Sequence, residues 1–129
     1  MLNKNPSFGV VLPMFNEEKV TEIVINKIHE SIHLGRWPAK IFAVDDGSSD
    51  GTLQILKRQK RKKNLEIIRN PERQGYGAAC WAGIRATLAC GFNYSIVMDG
   101  DGTQDPSDLR NFFPLMKKNI HLIKATRLS

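Results

Sequence analysis

Long apolar runs and cysteine are both scarce in this sequence, and each scarcity excludes a class of protein. The longest apolar stretches, "FGVVLPMF" and "YSIVM", fall far short of the roughly 20 residues that cross a bilayer, so no membrane span is predicted. The N-terminus lacks the features of a signal peptide, and we expect a cytoplasmic protein. Cys80 and Cys90 have neither metal-site nor disulfide-framework spacing, which predicts two small buried thiols.

Aromatic residues are few, at 8%, and the basic residues are concentrated in one place. Six of them and no acidic residue fall in "KRQKRKK", residues 57–63, so this basic cluster accounts for the whole net charge of +6. It is either a solvated helix end whose charges suit the helix dipole or a patch that rests on anionic lipid headgroups or nucleic acid. A nucleic-acid-binding protein should spread its charge along a groove, so we expect no nucleic-acid partner.

Strand-like and helix-like segments alternate along the chain. Strands are predicted at residues 8–15, 41–46, 65–70, 94–99 and 121–126, and helices at 17–32, from 50 into the basic cluster, at 76–90, and from 106 onward. Asn16 is predicted to cap the first helix, Ser49 or Asp50 the second, and Gly91 to end the third. The alternation predicts one α/β domain, a mostly parallel sheet with helices on both faces.

Polar residues follow four of the predicted strands at the point where each strand ends. Because the carboxyl ends of parallel strands share one edge, and ligands bind beyond that edge, we expect these residues to form one site. They are Asn16 and Glu17 after the first strand, Asp45 and Asp46 at the end of the second, the loop "RNPERQGYG" after the third, and Asp99 and Asp101 after the fourth.

Asp99 and Asp101, in "VMDGDGTQDP", are the candidate metal ligands. Two carboxylates one residue apart at a strand end can turn toward a common point, and Mg²⁺ binds a few carboxylates together with substrate phosphates. A calcium-binding EF-hand loop is excluded, because counting from Asp99 places Gln104 where glycine is needed and Arg110 where glutamate is needed. The alternative without a metal is a set of Asx turns around the glycines.

Two further motifs have both a binding and a structural interpretation. In "VDDGSSDGT", an acid at the strand end can accept hydrogen bonds from a base or a ribose, while the following turn can simply cap a helix. "GYGAAC", residues 75–80, loosely resembles a dinucleotide fingerprint, but it ends in cysteine and follows its strand only after several loop residues. It therefore predicts only the start of a helix, where the free backbone N–H groups favour a phosphate.

Taken in order, "VVLPMFNEE", "AVDDGSSDGT", "RNPERQGYGAACWAGI" and "VMDGDGTQDP" resemble the nucleotide-binding half of family 2 glycosyltransferases with the Rossmann-like GT-A fold. They look most like the polyprenyl-phosphate and dolichyl-phosphate mannosyl- and glucosyltransferases, and the resemblance covers about residues 8–127. In that family the acceptor pocket lies in the C-terminal half. The resemblance therefore implies that residues 1–129 form a C-terminally truncated GT-A domain that binds a sugar nucleotide and alone is inactive.

The resemblance also implies roles for individual residues. Asp99 and Asp101 match the D-x-D pair that holds a divalent metal, Mg²⁺ or Mn²⁺, against the diphosphate during catalysis, with Thr103 or Gln104 at the place of a third ligand. Phe15 stands where the family often has tyrosine. The residues that match the family's nucleotide-binding loops are Pro13, Asn16, Glu17, Asp45 or Asp46, Gln74, Gly75 and Gly77.

The function that the resemblance implies is metal-dependent transfer of a sugar from a UDP- or GDP-sugar to an acceptor such as a polyprenyl phosphate, with peripheral membrane contact at the cytoplasmic face. A sugar-nucleotide pyrophosphorylase is one alternative, but it should show a glycine-rich signature with arginine after the first strand, and "PMFNEE" has neither. A non-catalytic nucleotide-binding fragment is the alternative from another class.

Overall fold

The computed structural model describes residues 7–100 and the backbone of residues 122–124. Its strands are β1 (Phe8–Met14), β2 (Ala39–Asp46), β3 (Leu65–Asn70), β4 (Tyr94–Val97) and β5 (Leu122–Lys124), and its helices are α1 (Thr21–Gly35), α2 (Thr52–Lys62) and α3 (Tyr76–Ala89). The strands pair in parallel in the order β3-β2-β1-β4-β5. The predicted α/β fold is therefore confirmed, whereas the helix predicted from residue 106 lies outside the described residues.

The central strand β1 is buried along its whole length, as its apolar sequence predicts for a strand covered on both faces. Side chains of a strand alternate between the two faces of the sheet. Leu12 and Met14 pack with the buried side chains of α1 and α2, and Val11 packs on the opposite face with Ala79 and Ile84 of α3. Helices thus cover both faces, as predicted.

Two of the predicted helix caps are wrong. Helix α1 begins at Thr21, four residues later than expected, and Val20 occupies its N-cap without a side-chain hydrogen bond. Asn16 cannot cap it, because its side chain binds the loop before α2 instead. Helix α2 has Gly51 at its N-cap, although the Asp50 carboxylate does accept a hydrogen bond from the first helical N–H, that of Thr52, at 2.9 Å.

The end of α3 follows the prediction at its glycine and departs from it at its cysteine. Gly91 has a left-handed backbone (φ 88°), and its N–H donates to the Leu88 carbonyl at 3.0 Å, which ends the helix as expected. Cys90 is exposed and Cys80 is half-buried, so the prediction of two buried thiols is wrong. Cys90 follows the last helical residue, Ala89, and lies beyond the face that α3 buries.

The basic cluster lies at the amino edge of the sheet. A helix that connects two parallel strands runs antiparallel to them, so the last turn of α2 returns to the edge where the strands begin. The ion pair between Lys60 and Glu66, 3.6 Å long, joins the cluster to the second residue of β3. None of the described helices is long and apolar enough to span a bilayer.

Helix α3 approaches the sheet closely at Gly83. A Cβ atom there would overlap the Val11 side chain and lie 3.1 Å from Val44 Cγ2, whereas a Cβ at Gly77 in the same helix would have no neighbour within 4 Å. We expect Gly83→Ala to lower the free energy of unfolding by about 1–3 kcal/mol, because α3 must move away from the sheet. Urea denaturation measures the effect.

Gly77→Ala is the matched control, since it makes the same change in the same helix without a clash. It should leave the free energy of unfolding unchanged or raise it by up to about 1 kcal/mol, because alanine has the higher helix propensity. Equal free energies of unfolding for the two variants would contradict the close packing of α3 described above.

Candidate functional site

A cleft opens at the carboxyl edge of the sheet, where the polar motifs were predicted to meet. The ends of β1, β2 and β4 and the start of α3 all contribute to its wall. Its lining residues are Pro13, Met14, Phe15, Glu17, Asp46, Arg73, Tyr76, Ala79, Asp99 and Gly100. The described residues therefore bring four separate segments of the chain to one site, as expected from the strand order.

The structure separates the predicted site residues into three groups. Pro13, Glu17, Asp46 and Asp99 line the cleft. The next group lies beside the cleft and outside its lining, and consists of Asn16, Asp45, Gln74, Gly75 and Gly77. The last group, Asp101, Thr103 and Gln104, lies outside the described residues.

Asn16 connects the β1–α1 loop to the β2–α2 loop. Its backbone is left-handed (φ 52°), a conformation that asparagine tolerates better than most residues. Its side-chain oxygen accepts hydrogen bonds from the N–H groups of Ser49 (2.8 Å) and Asp50 (3.3 Å), and its own N–H donates to Ser48 Oγ (3.0 Å). The observed contacts of Asn16 therefore set the relative position of two loops at the cleft edge.

The two neighbouring acids at the end of β2 have different surroundings, which the sequence left open. Asp46 points to the α3 side and lines the cleft, whereas Asp45 lies on the opposite face of the strand and accepts one long bond, 3.4 Å, from the Ser48 N–H. Oδ1 of Asp46 accepts hydrogen bonds from Asn70 Nδ2 (2.9 Å) and the Gln74 N–H (2.8 Å). Oδ2 accepts from the Gly75 N–H (3.0 Å).

These contacts keep Asp46 ionised although it is only 3% exposed. Burial by itself would raise the pKa of this carboxyl group. The hydrogen bonds from Asn70, Gln74 and Gly75, together with the positive charge of Arg73, outweigh burial and lower the pKa below its usual value. Asp46 is therefore a carboxylate at neutral pH, with both oxygens engaged by the loop that follows β3.

Arg73 and Tyr76 also face the cleft, although neither is among the individual residues predicted for the site. The Arg73 guanidinium carbon lies 4.0 Å from the centroid of the Phe15 ring, a cation–π contact. The Tyr76 hydroxyl donates a hydrogen bond to Asp99 Oδ1 at 3.1 Å. Burial, the Cys80 side chain and the Asp99 charge raise the pKa of Tyr76, which keeps the phenol protonated.

The sequence contains features that could have identified Arg73 and Tyr76 as site residues. Both residues lie in the "RNPERQGYG" segment that follows a strand, and a positive charge among several acids at one sheet edge is suited to an anionic ligand. The sequence could not show which residues of that loop turn inward. That depends on the backbone of Gly75, whose φ of 102° is accessible mainly to glycine.

The chemistry of the site fits a divalent metal at Asp99. This half-buried carboxylate lies on the cleft wall two residues beyond β4 and provides the oxygen ligand that Mg²⁺ and Mn²⁺ prefer. Gly100 lets the chain pass close to β1, because a Cβ there would lie 2.9 Å from the Pro13 carbonyl oxygen. Among the described residues no three His, Cys, Asp or Glu side chains form a metal-binding group, and the other predicted ligands lie beyond residue 100.

An open parallel sheet with a polar cleft beyond its carboxyl edge is the architecture of α/β domains that bind nucleotides. The comparison with known families identifies the family to which this domain belongs. The model of glycosyl transferase family 2 matches residues 9–128, and the chain belongs to that family.

Named relatives and a solved structure agree with the family. The chain is 28% identical to polyprenol monophosphomannose synthase of Mycolicibacterium smegmatis, over 92% of this chain and 44% of that protein. It is 24% identical to the UDP-N-acetylglucosamine–dolichyl-phosphate N-acetylglucosaminyltransferase of Methanococcus voltae, over 92% of this chain and 51% of the other. The chain spans about half or less of the length of the curated relatives it matches.

The solved structure is glucosyl-3-phosphoglycerate synthase from Mycobacterium tuberculosis in complex with Mn²⁺, UDP and glucosyl-3-phosphoglycerate. It superposes with a TM-score of 0.66 at 25% identity, over 85% of this chain and 39% of that one. The fold predicted from the sequence, the GT-A fold of these glycosyltransferases, is therefore confirmed.

Substitution of Asn16 tests its connection of the two loops. We expect Asn16→Ala to lower the free energy of unfolding by about 1–3 kcal/mol, because two backbone N–H groups lose their acceptor and alanine disfavours a positive φ. Asn16→Gly removes the same acceptor but tolerates the backbone, so it should cost less. Urea denaturation of both variants separates the two contributions, and an unchanged stability of Asn16→Ala would contradict the analysis.

Proposed function

We propose that this chain is the donor-binding part of a metal-dependent glycosyltransferase that uses a nucleoside-diphosphate sugar. The observation that carries the proposal is the cleft at the carboxyl edge of a family 2 sheet, with Asp99 of the D-x-D pair and the cationic Arg73 on its wall. Carboxylates, a metal and an arginine are the groups that proteins use to hold a diphosphate.

The chain's own residues would hold the donor in defined places. Pro13, Glu17 and Asp46 line the side of the cleft proposed for the base and ribose, whereas Asp45 lies on the other face of β2 and outside this lining. Arg73, the one cation among the described lining residues, is suited to a phosphate oxygen. Asp99 and Asp101 would hold the metal, with Thr103 or Gln104 as a further ligand.

Sugar transfer forms a bond from an acceptor oxygen to the anomeric carbon and breaks the bond from that carbon to the diphosphate, which leaves with the electron pair. Asp99 and Asp101 would hold a divalent cation, which would supply Lewis acidity and neutralise charge on the leaving diphosphate. Asp99 would hold the positive charge of the cation at the cleft wall, and the Tyr76 hydroxyl orients the Asp99 carboxylate through its hydrogen bond. The Mn²⁺ bound to the structural relative supports the choice of metal.

A polyprenyl phosphate is the acceptor that we propose. The named relatives support it, since one is a polyprenol monophosphomannose synthase and the other acts on dolichyl phosphate. A phosphate acceptor is already an anion and needs little help from a general base. Glucosyl-3-phosphoglycerate synthase, the structural relative, makes a different product, so a small phosphorylated acceptor is the second candidate.

The first test is metal-dependent binding of the nucleotide. We expect the chain to bind UDP or GDP more tightly with Mn²⁺ than with EDTA, and Asp99→Asn and Asp101→Asn to abolish that difference. Outer-shell partners alone contribute about 10- to 100-fold to metal affinity, so the loss of a ligand should weaken binding by at least as much. Isothermal titration calorimetry measures the affinities.

The matched control is Glu30→Gln, which removes one negative charge from an exposed position of α1 and should leave nucleotide affinity unchanged. Circular dichroism spectra should be the same for all of the variants. Equal affinity with EDTA and with Mn²⁺ for the unmodified chain would overturn the proposed metal dependence.

The basic cluster is the candidate for peripheral membrane contact. Its residues Lys57, Arg58, Lys60, Arg61 and Lys62 are exposed on α2, and Leu34 at the end of α1 is 74% exposed near the same edge of the sheet. Positive charges beside an apolar side chain suit an anionic lipid surface. The cluster lies at the edge opposite the cleft, so such contact would tether the domain to the membrane but would not itself deliver the lipid acceptor to the cleft.

Liposome sedimentation tests the membrane contact. We expect the chain to sediment with vesicles that contain phosphatidylserine at low salt and to be released at high salt, because each basic residue near the surface contributes about 1 kcal/mol that salt screens. Replacing Arg58, Arg61 and Lys62 by glutamine should abolish sedimentation. Absence of binding at low salt would leave the cluster as a solvated helix end.

A further inference from the structure

We infer that Asp46 is a positioning residue: its carboxylate holds the β3–α3 loop, residues 71–75, in the conformation that places Arg73 and Tyr76 on the cleft wall. The effect on nucleotide affinity rests on the function proposed above. The effect on the loop itself does not, because it follows from hydrogen bonds within this chain.

The hydrogen bonds to Asp46 connect the end of β2 to both ends of the loop. Asn70 Nδ2, at the end of β3, donates to Oδ1 at 2.9 Å. The Gln74 N–H donates to the same oxygen at 2.8 Å, and the Gly75 N–H donates to Oδ2 at 3.0 Å. Gly75 is the N-cap residue of α3, so the buried negative charge also lies at the positive end of this helix.

The loop has little else to hold it. Residues 71–74 are exposed and contribute no side chain to the buried core. The loop does rest against the turn that follows Asp46, since a Cβ at Gly47 would lie 2.5 Å from the Arg73 nitrogen and 2.8 Å from the Glu72 carbonyl carbon. Gly47 has a left-handed backbone (φ 73°). Asp46 and Gly47 together therefore form the surface on which the loop rests.

The position of this loop determines two side chains of the cleft. Arg73 lies within the loop and stacks on Phe15, and Tyr76 follows it and donates to Asp99. Release of the loop would move both contacts, one with the end of β1 and one with the residue proposed to bind the metal. Asp46 can therefore affect the donor site through Arg73 and Tyr76.

The occupancy of the carboxylate is compatible with its place on the cleft wall. An ionised carboxylate offers about four acceptor positions, and three of those of Asp46 are used by Asn70, Gln74 and Gly75. One acceptor position is left for a group of a ligand, so holding the loop does not exclude contact with the nucleotide.

Asp46→Asn is the test, because it keeps the shape and turns one accepting oxygen into a donor that opposes a backbone N–H. We expect amide hydrogen exchange of Gln74 and Gly75, measured by NMR, to accelerate by about 10- to 100-fold. The affinity for UDP or GDP with Mn²⁺ should fall by a similar factor. Gly47→Ala leaves the carboxylate intact but displaces the loop, and it should reproduce both effects.

Two control variants separate the loop from other causes. Asp45→Asn changes the neighbouring acid and should leave the exchange of Gln74 and Gly75 as it is. Glu66→Gln removes another stabilised carboxylate, which accepts a 2.8 Å bond from Lys40 at the opposite edge of the sheet, and should change neither measurement. It controls for a general loss of stability.

A titration of the unmodified chain covers the case in which Asp46→Asn fails to fold. Because the hydrogen bonds and Arg73 lower the pKa of Asp46, the carboxylate should keep the loop in place through the usual titration range of an aspartate and release it only as the pH falls below that range. The amide shifts of Gln74 and Gly75 should titrate together with that midpoint. Independent titration of the two amides would overturn the inference.

The outcomes distinguish this inference from the proposed function. Unchanged exchange in Asp46→Asn would overturn the positioning role, and weaker nucleotide binding with unchanged exchange would make Asp46 a direct ligand instead. If the unmodified chain binds no nucleotide, the proposed function fails, and the exchange data still decide whether Asp46 holds the loop.

Discussion

Burial of β1 on both faces is the constraint on which the rest of the structure depends. Every residue from Phe8 to Met14 is buried, with β2 and β4 paired on its two sides and helices packed above and below. A strand in this position has to be apolar throughout, and its polar continuation can begin only past the sheet edge. The first accessible side chains after β1 therefore come at Phe15, Asn16 and Glu17, where the cleft opens.

Polar side chains fix the positions of the loops at this edge, whereas apolar packing fixes the helices on the sheet. Asn16, Glu18 and Asp46 each accept a hydrogen bond from a backbone N–H group of a different loop. Loops of this kind bury too little apolar surface to fix their own conformation, so the acceptors of neighbouring segments determine where they lie. The acids and amides of this family's motifs thus have structural partners in this chain even before a ligand is considered.

The fold could be predicted from local pattern, whereas the site could be predicted only in part. β3 agrees with its apolar run residue by residue, since a strand between two turns is defined by its own sequence. The prediction that Asn16 caps the first helix was wrong because its side-chain oxygen accepts a hydrogen bond from the N–H of Ser49, more than thirty residues away. Likewise, adjacent aspartates look the same in sequence, and only strand pairing and the path of the next loop distinguish Asp45 from Asp46.

The close contact of α3 with the sheet has a mechanical consequence. Gly83 lies against Val11, and a Cβ at Gly9 would overlap the Thr87 side chain, so the helix and β1 touch at two points about one turn apart. A helix seated this tightly can neither slide along the sheet nor rotate without collision. If the cleft binds a nucleotide as proposed, its adjustment to a larger purine or a smaller pyrimidine base would have to come from the loop before α3 and from side-chain rotation, because the helix itself cannot move.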